Sequence, residues 1–137
     1  MAELASVQVG DRLPTHRFTI DRLDLVRYCG ASGDFNVIHW SDRAAEAAGL
    51  PDVIAHGMLT MARSVNGVVA WAGDPSAVVE YGVRFVRPVV VPVDGSDTVT
   101  VEAEVVERID ERTVRVALDV RVGDDAVLGK AEAVVRR

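Results

Sequence analysis

The chain has 137 residues, of which 49% are hydrophobic and only 5% aromatic, and its formal net charge is −6. That length fits one domain, residues 1–137, and that apolar share is enough for a core without staples. The acidic balance excludes the basic face of a nucleic-acid-binding protein, and with Cys29 as the single cysteine no intrachain disulfide can form, so a reducing, cytoplasmic setting is expected.

The opening M-A-E-L-A-S-V-Q-V-G lacks the charged-then-apolar order of a secretory leader. A short strand is expected from His16 to Ile20. Asp21 then reads as a helix N-cap with Asp24 three residues on, and Leu23, Val26 and Tyr28 as the buried stripe of a helix ending near Gly30. Ala31 to Trp40 has no period and reads as an ordered loop. Ser41 caps a second helix from Asp42 to Ala48, stopped by Gly49 and Pro51. The third helix starts near Gly57 and is apolar almost all round, which predicts burial on most sides. The same run, Gly57 to Ala72, is too short for a membrane span and contains Arg63 and Asn66, so no membrane insertion is expected.

The back half is strand-rich. Val78 to Val91 alternates in part and ends at Pro92. Val99, Val101, Ala103 and Val105 alternate with polar residues, as do Val114, Val116, Leu118, Val120 and Val122, and a last strand runs from Val127 to Val135. Asp94-Gly95 and Gly123-Asp124 mark turns. Strands with one apolar and one polar face fit an antiparallel sheet covered on one side. A sheet wrapped around a long buried helix is an α+β, hot-dog arrangement.

The residues equipped for chemistry are Asp34, Asn36, His39 and the pair His56-Gly57. A carboxylate and an imidazole meeting over one group are general acid–base equipment. Asn36 orients water or holds the loop as an Asx turn. Ser32-Gly33 offers tight geometry for close backbone approach to a ligand. Gly57 begins a helix whose first N–H groups lack partners, a place for a developing oxyanion, and His56 beside it caps or bonds nearby backbone. Spacing alone leaves catalysis, loop structure and a metal site on Asp34, His39 and His56 all open. No phosphate loop, nucleophile elbow or paired-cysteine motif is present, and no cofactor or metal is expected.

Tyr28 to His39, Y-C-G-A-S-G-D-F-N-V-I-H, resembles the signature of MaoC-like (R)-specific enoyl hydratases. Ala55 to Met58, A-H-G-M, matches that family's helix start, and Arg84 to Val89, R-F-V-R-P-V, its strand-and-turn element. Trp71 to Phe85, the opening S-V-Q-V-G-D-R-L-P and I-A-H-G-M-L-T-M are further similar to the B subunits of the (3R)-hydroxyacyl-acyl-carrier-protein dehydratase of type II fatty-acid synthesis in mycolate-making actinobacteria. The chain departs from the broad family at Val37, where proline is usual, at Ala31, which is smaller than usual, and at the turn Val91 to Gly95.

The resemblance implies a hydro-lyase that interconverts a (3R)-hydroxyacyl thioester and its trans-2-enoyl product. Asp34 and His39 are then the catalytic pair, Gly57 the oxyanion donor, and Asn36, Ser32, Gly33 and His56 supporting residues. It also implies acyl carrier protein or coenzyme A as the carrier, with Arg63, Arg84 and Arg87 as candidates to meet the acidic carrier. A site at the interface of two hot-dog units implies a heterodimer with a related subunit or a homodimer. The competing readings are a hot-dog thioesterase, a non-catalytic acyl-binding subunit and, more distantly, a metal-dependent hydrolase.

Overall fold

The computed structural model describes residues 6–136; the first five residues, on which the reading of the chain's opening partly rests, lie outside them. In chain order it has β1 (His16–Asp21), α1 (Arg22–Ser32), a 3-10 turn (Val37–His39), α2 (Asp42–Ala47), α3 (Gly57–Ala72), a second 3-10 turn (Pro75–Ala77), β2 (Val78–Phe85), β3 (Ser96–Asp110), β4 (Thr113–Val122) and β5 (Asp125–Arg136). The five strands form one antiparallel sheet in the order β1-β3-β4-β5-β2. The sheet curls around α3, which touches β1, β2, β3 and β5, and this is the hot-dog fold.

The alternating valines give the sheet its inner face. Val99, Val101 and Val105 on β3 and Val114, Val116 and Val120 on β4 are buried, while Glu102, Asp119 and Arg121 point outward. On α3 the buried stripe is Thr60, Ser64, Val68 and Ala72, spaced four apart. Small side chains there let the helix sit close to the sheet, and the Ser64 hydroxyl turns back to donate to the Thr60 carbonyl at 2.7 Å. Tyr81 on β2 donates to the Met61 carbonyl at 3.0 Å, and burial pushes its phenol up to about 12.

Four expectations need correction. Helix α3 is not buried on most sides: its buried residues are Thr60, Ser64, Val68 and Ala72, and Met58, Ala62, Asn66 and Ala70 form an exposed stripe. Helix α1 extends to Ser32 and buries Leu25 and Cys29, whereas Leu23 and Val26 are exposed. Its apolar residues offer two overlapping stripes, and the one facing the core is set by packing. The span from Ala31 to Trp40 is not all loop: it contains the end of α1 and the 3-10 turn. Strand β2 ends at Phe85: the Val86 and Arg87 N–H groups share the Val127 carbonyl of β5, and beyond Pro88 the chain pairs instead with residues 53–55, including a bridge between Ile54 and Val90.

Two local devices shape the corner where α1, α3 and β2 meet. Asp21 and Asp24 form the reciprocal capping box that starts α1, with bonds of 2.8 and 3.2 Å. Arg22 then bonds the Val91 carbonyl at 3.0 Å and pairs with Asp42 and Asp52, clamping three connections to one side chain. On β5 the ladder to β4 slips between Leu118 and Val120. There Lys130 takes φ +46°, the one non-glycine among the described residues with positive φ.

Candidate active site

Helix α1 ends in Gly33, which takes the left-handed conformation at φ 75° and whose N–H returns to the Cys29 carbonyl. A Cβ at Gly33 would meet nothing within 4 Å, so what asks for glycine at this helix end is its positive φ. Ser32 Oγ donates to the Tyr28 carbonyl and accepts from the Asp34 N–H at 3.1 Å. Asp34 Oδ1 accepts the Asn36 N–H at 3.1 Å, and Asn36 Oδ1 accepts the Ile38 N–H at 3.3 Å as cap of the 3-10 turn. Asn36 therefore takes the loop-holding option of the two open to it. This chain of short-range bonds leaves the Asp34 side chain exposed and carries His39 to a buried place behind it.

His39 Nδ1 lies 2.7 Å from the Ile54 carbonyl. A carbonyl only accepts, so Nδ1 carries the proton and Nε2 of the neutral ring keeps its lone pair, ready to act as a base. His56 Nε2 lies 3.0 Å from the Asp34 backbone carbonyl, so it too carries the proton there. His56 Nδ1 is buried with no hydrogen-bond partner. The two imidazoles stack, with centroids 3.7 Å apart and planes 23° apart, and Tyr28 packs on the other ring contact of His56 at 4.7 Å. Burial, before all other causes, holds the His56 pKa below 6.5; the charge of His39 lowers it further, and the Asp34 carbonyl and carboxylate oppose. His56 is thus a neutral ring at pH 7.

One side-chain donor atom each from Asp34, His39 and His56 lie within 4.8 Å of one another. The tautomers argue against reading them as a metal triad, because His56 uses Nε2–H on a carbonyl and keeps its bare nitrogen buried. What this arrangement offers is one carboxylate and one free imidazole lone pair, set to exchange protons with a group between them.

A cleft of about 440 Å³ opens beside them, lined by His39, Ile54, Gly57, Phe85, Val89 and Leu128 among others. Its walls are mainly apolar, with Arg87 at the margin. At its floor lies the start of α3. The His56 carbonyl takes the N–H groups of Leu59 and Thr60, while those of Gly57 and Met58 have no partner among the described residues. They bring two free donors and the positive end of the helix dipole to the cleft. Gly57 is needed for a second reason, which the sequence reading missed: a Cβ there would lie 2.8 Å from the Phe85 ring. Phe85 sits inside the R-F-V-R-P-V stretch, and its role has no signal beyond a large apolar residue near the end of a strand. Cys29, read from sequence as a small apolar helix residue, is buried with Sγ 3.7 Å from His56 Nε2.

The three arginines fare differently. Arg63 is occupied with the Thr19 carbonyl, Asp24 and the Phe18 ring, and Arg87 is paired with Asp125. Arg84 is exposed and has no ionic partner among the described residues.

Comparison with known proteins bears on the family and the fold. A curated relative from Mycobacterium tuberculosis (strain ATCC 25618 / H37Rv), 3-hydroxyacyl-thioester dehydratase X, is 44% identical over 66 residues, 48% of this chain and 22% of the relative. A solved MaoC-like dehydratase superposes with TM-score 0.92 at 40% identity, covering 97% of this chain and 41% of that one. R-Hydratase PhaJ1 from Pseudomonas aeruginosa, in its unliganded form, superposes with TM-score 0.84 at 28% identity, over 97% of this chain and 83% of that one. The chain thus spans under half the length of the first two. The family model for the MaoC like domain matches residues 6–126, a stretch that takes in α1, both histidines of the site and most of the sheet, and the chain belongs to the MaoC-like dehydratase family.

Proposed function

We propose that this chain is the catalytic subunit of a (3R)-hydroxyacyl-thioester dehydratase, a hydro-lyase that interconverts a (3R)-hydroxyacyl thioester and the trans-2-enoyl thioester plus water. The observation that carries the reading is the meeting of Asp34 and His39 beside a mainly apolar cleft with free helix N–H groups at its floor. The acyl chain lies along Phe85, Val89 and Leu128. The thioester carbonyl accepts from the Gly57 N–H, which stabilises negative charge as it develops on that oxygen. In dehydration one member of the pair removes the α-carbon proton while the other delivers a proton to the departing β-hydroxyl; hydration runs the same transfers in reverse. With Nδ1–H on the Ile54 carbonyl, His39 takes a proton through Nε2 and gives it back from the same atom.

We assign Asn36, Ser32 and Gly33 to loop support. The whole chain is read as one hot-dog unit in the cytoplasm; among the described residues no helix is long and apolar enough to cross a membrane. It pairs with a second hot-dog unit, related or identical. The exposed stripe of α3, the open edge of β2 and relatives of more than twice its length support this pairing. The carrier is acyl carrier protein or coenzyme A, and Arg84 is the cation best placed to meet it, since Arg63 and Arg87 are already engaged.

The test is to follow loss of the conjugated thioester absorbance of trans-2-enoyl-CoA, with the chain alone and with its paralogous subunit. Hydration in either case is the expected result, and activity only in the mixture establishes the heterodimer. Release of free thiol with the enone untouched replaces this reading by a thioesterase. No reaction in any combination favours a non-catalytic acyl-binding subunit.

A further inference from the structure

Apart from one bond, the stretch from Gly33 to Asn36 is held by local bonds: within itself, to the end of α1, and to Ile38, His39 and Trp40 just after it. Three bonds cross from the 34–39 region to residues 54–56. The Ile54 N–H bonds the Ile38 carbonyl at 3.2 Å, and His39 Nδ1–H bonds the Ile54 carbonyl, so both secure the His39 end. The bond from His56 to the Asp34 carbonyl is the one that secures the other end. His56 occupies the N-cap position of α3 yet makes no side-chain capping bond, so its ring is not there to cap the helix. Nor is it an efficient filler, since its Nδ1 is buried without a partner and an apolar side chain would avoid that cost.

We propose that His56 is a positioning residue: it ties the Asp34 end of the loop to the start of α3 and, by stacking on His39, holds the two acid–base groups at their working separation. This rests on the function proposed above and names how its site is kept in order. The groups around the ring fit that role. His39 covers one face, Tyr28 packs against it, Cys29 Sγ lies beside the donating Nε2, and the Asp34 carboxylate is within 4.8 Å. The ring must remain neutral, because a proton on Nδ1 would bury an unpaired donor and set a positive charge against His39.

Two substitutions separate the two contacts. His56→Phe keeps a flat ring and removes the N–H; His56→Gln keeps an amide N–H of similar reach and removes the ring. The expected result is a kcat at least about tenfold lower in His56→Phe with KM little changed, because misplacement of reacting groups by an ångström costs rate rather than binding. His56→Gln recovers part of that loss. The chain has three histidines, so long-range proton–nitrogen spectra of the imidazoles can be assigned by single substitutions. They should show His39 as the Nδ1–H tautomer in the wild type, held by the Ile54 carbonyl, and displaced His39 resonances in His56→Gln, where the stacked ring is lost. Wild-type kcat in both folded variants, with the His39 resonances unmoved, overturns the proposal. A wild type that leaves enoyl thioesters untouched sinks the hydratase reading instead, and the His39 spectra then decide the positioning role by themselves. Should a variant not fold, the wild-type spectrum still decides: His56 as Nε2–H supports the tie to Asp34, and His56 as Nδ1–H excludes it.

Discussion

Along β3 and β4, Val99, Val101, Val105, Val114, Val116 and Val120 are each 2% exposed or less, and the two strands run as a long antiparallel ladder. At the corner where α1, α3 and β2 meet, Met58, Phe85 and Val86 are each more than half exposed, at 55%, 52% and 51%. There a buried imidazole nitrogen and two helix N–H groups also stand without partners. In the sheet, side-chain pattern, strand propensity and burial agree. At the corner they conflict, and conflicts of that kind collect where a chain keeps groups in reserve for a ligand. His39 belongs both to the lining of the cleft and to the cluster of titratable side chains with Asp34 and His56.

The contrast breaks most sharply under substitutions that act on one region alone. Asp34→Asn and His39→Gln should each lower kcat/KM at least about a hundredfold, as loss of a general acid or base does, while thermal melting stays close to wild type. Val116→Ala should do the opposite. It empties a fully buried site and should cost about 2–3 kcal/mol in a urea titration, leaving kcat of the folded enzyme nearly unchanged. If Asp34→Asn melted like Val116→Ala, the division between the two regions would fail.

Smaller effects sharpen the boundary. Gly57→Ala drives a methyl into the Phe85 ring and should cost about 1–2 kcal/mol, less than a clash with backbone because Phe85 is half exposed and can swing aside. Phe85→Ala in the same chain should relieve most of that cost, and a double-mutant cycle on melting and on kcat/KM measures the coupling. The smallest effect is on pH dependence. With its pKa lowered in the fold, His56 takes up a proton in the unfolded chain before it does in the folded one. Its contribution to stability is complete above about pH 6.5 and declines as the pH falls toward the depressed value. Urea midpoints of the wild type should therefore fall between pH about 7.5 and about 5.5 by more than those of His56→Phe.

Much of the fold was legible because it rests on repeated local choices. The alternation from Val99 to Val105 and from Val114 to Val122, the Asp21–Asp24 box and Ser41 as a cap each state their own structure. That Asp34, His39 and His56 gather was anticipated, but their five-residue and longer spacings left open what the cluster does, and only the family resemblance singled out Asp34 with His39. The buried stripe of α1 was not legible. Leu23 and Val26 compete with Leu25 and Cys29 for the core, and only the neighbours of the helix settle the choice. The bonds that arm the site were hidden for another reason. His39 and His56 both donate to backbone carbonyls, of Ile54 and Asp34, and every residue has a carbonyl. The contact between Phe85 and Gly57 joins residues distant in the chain and of no special chemistry, so it emerges only once β2 is laid beside α3.

The bulge in β5 has a practical consequence. Lys130, with its positive φ, is the single lysine in the chain, and its side chain is exposed. It follows Gly129, which pairs with Arg84 across the sheet and lies against the Val86 side chain. An amine-reactive fluorophore therefore has one side-chain address on this protein, on the bulge of β5, while Cys29 lies buried beyond the reach of thiol labels. A dye placed there would report on whatever covers that stretch of the sheet.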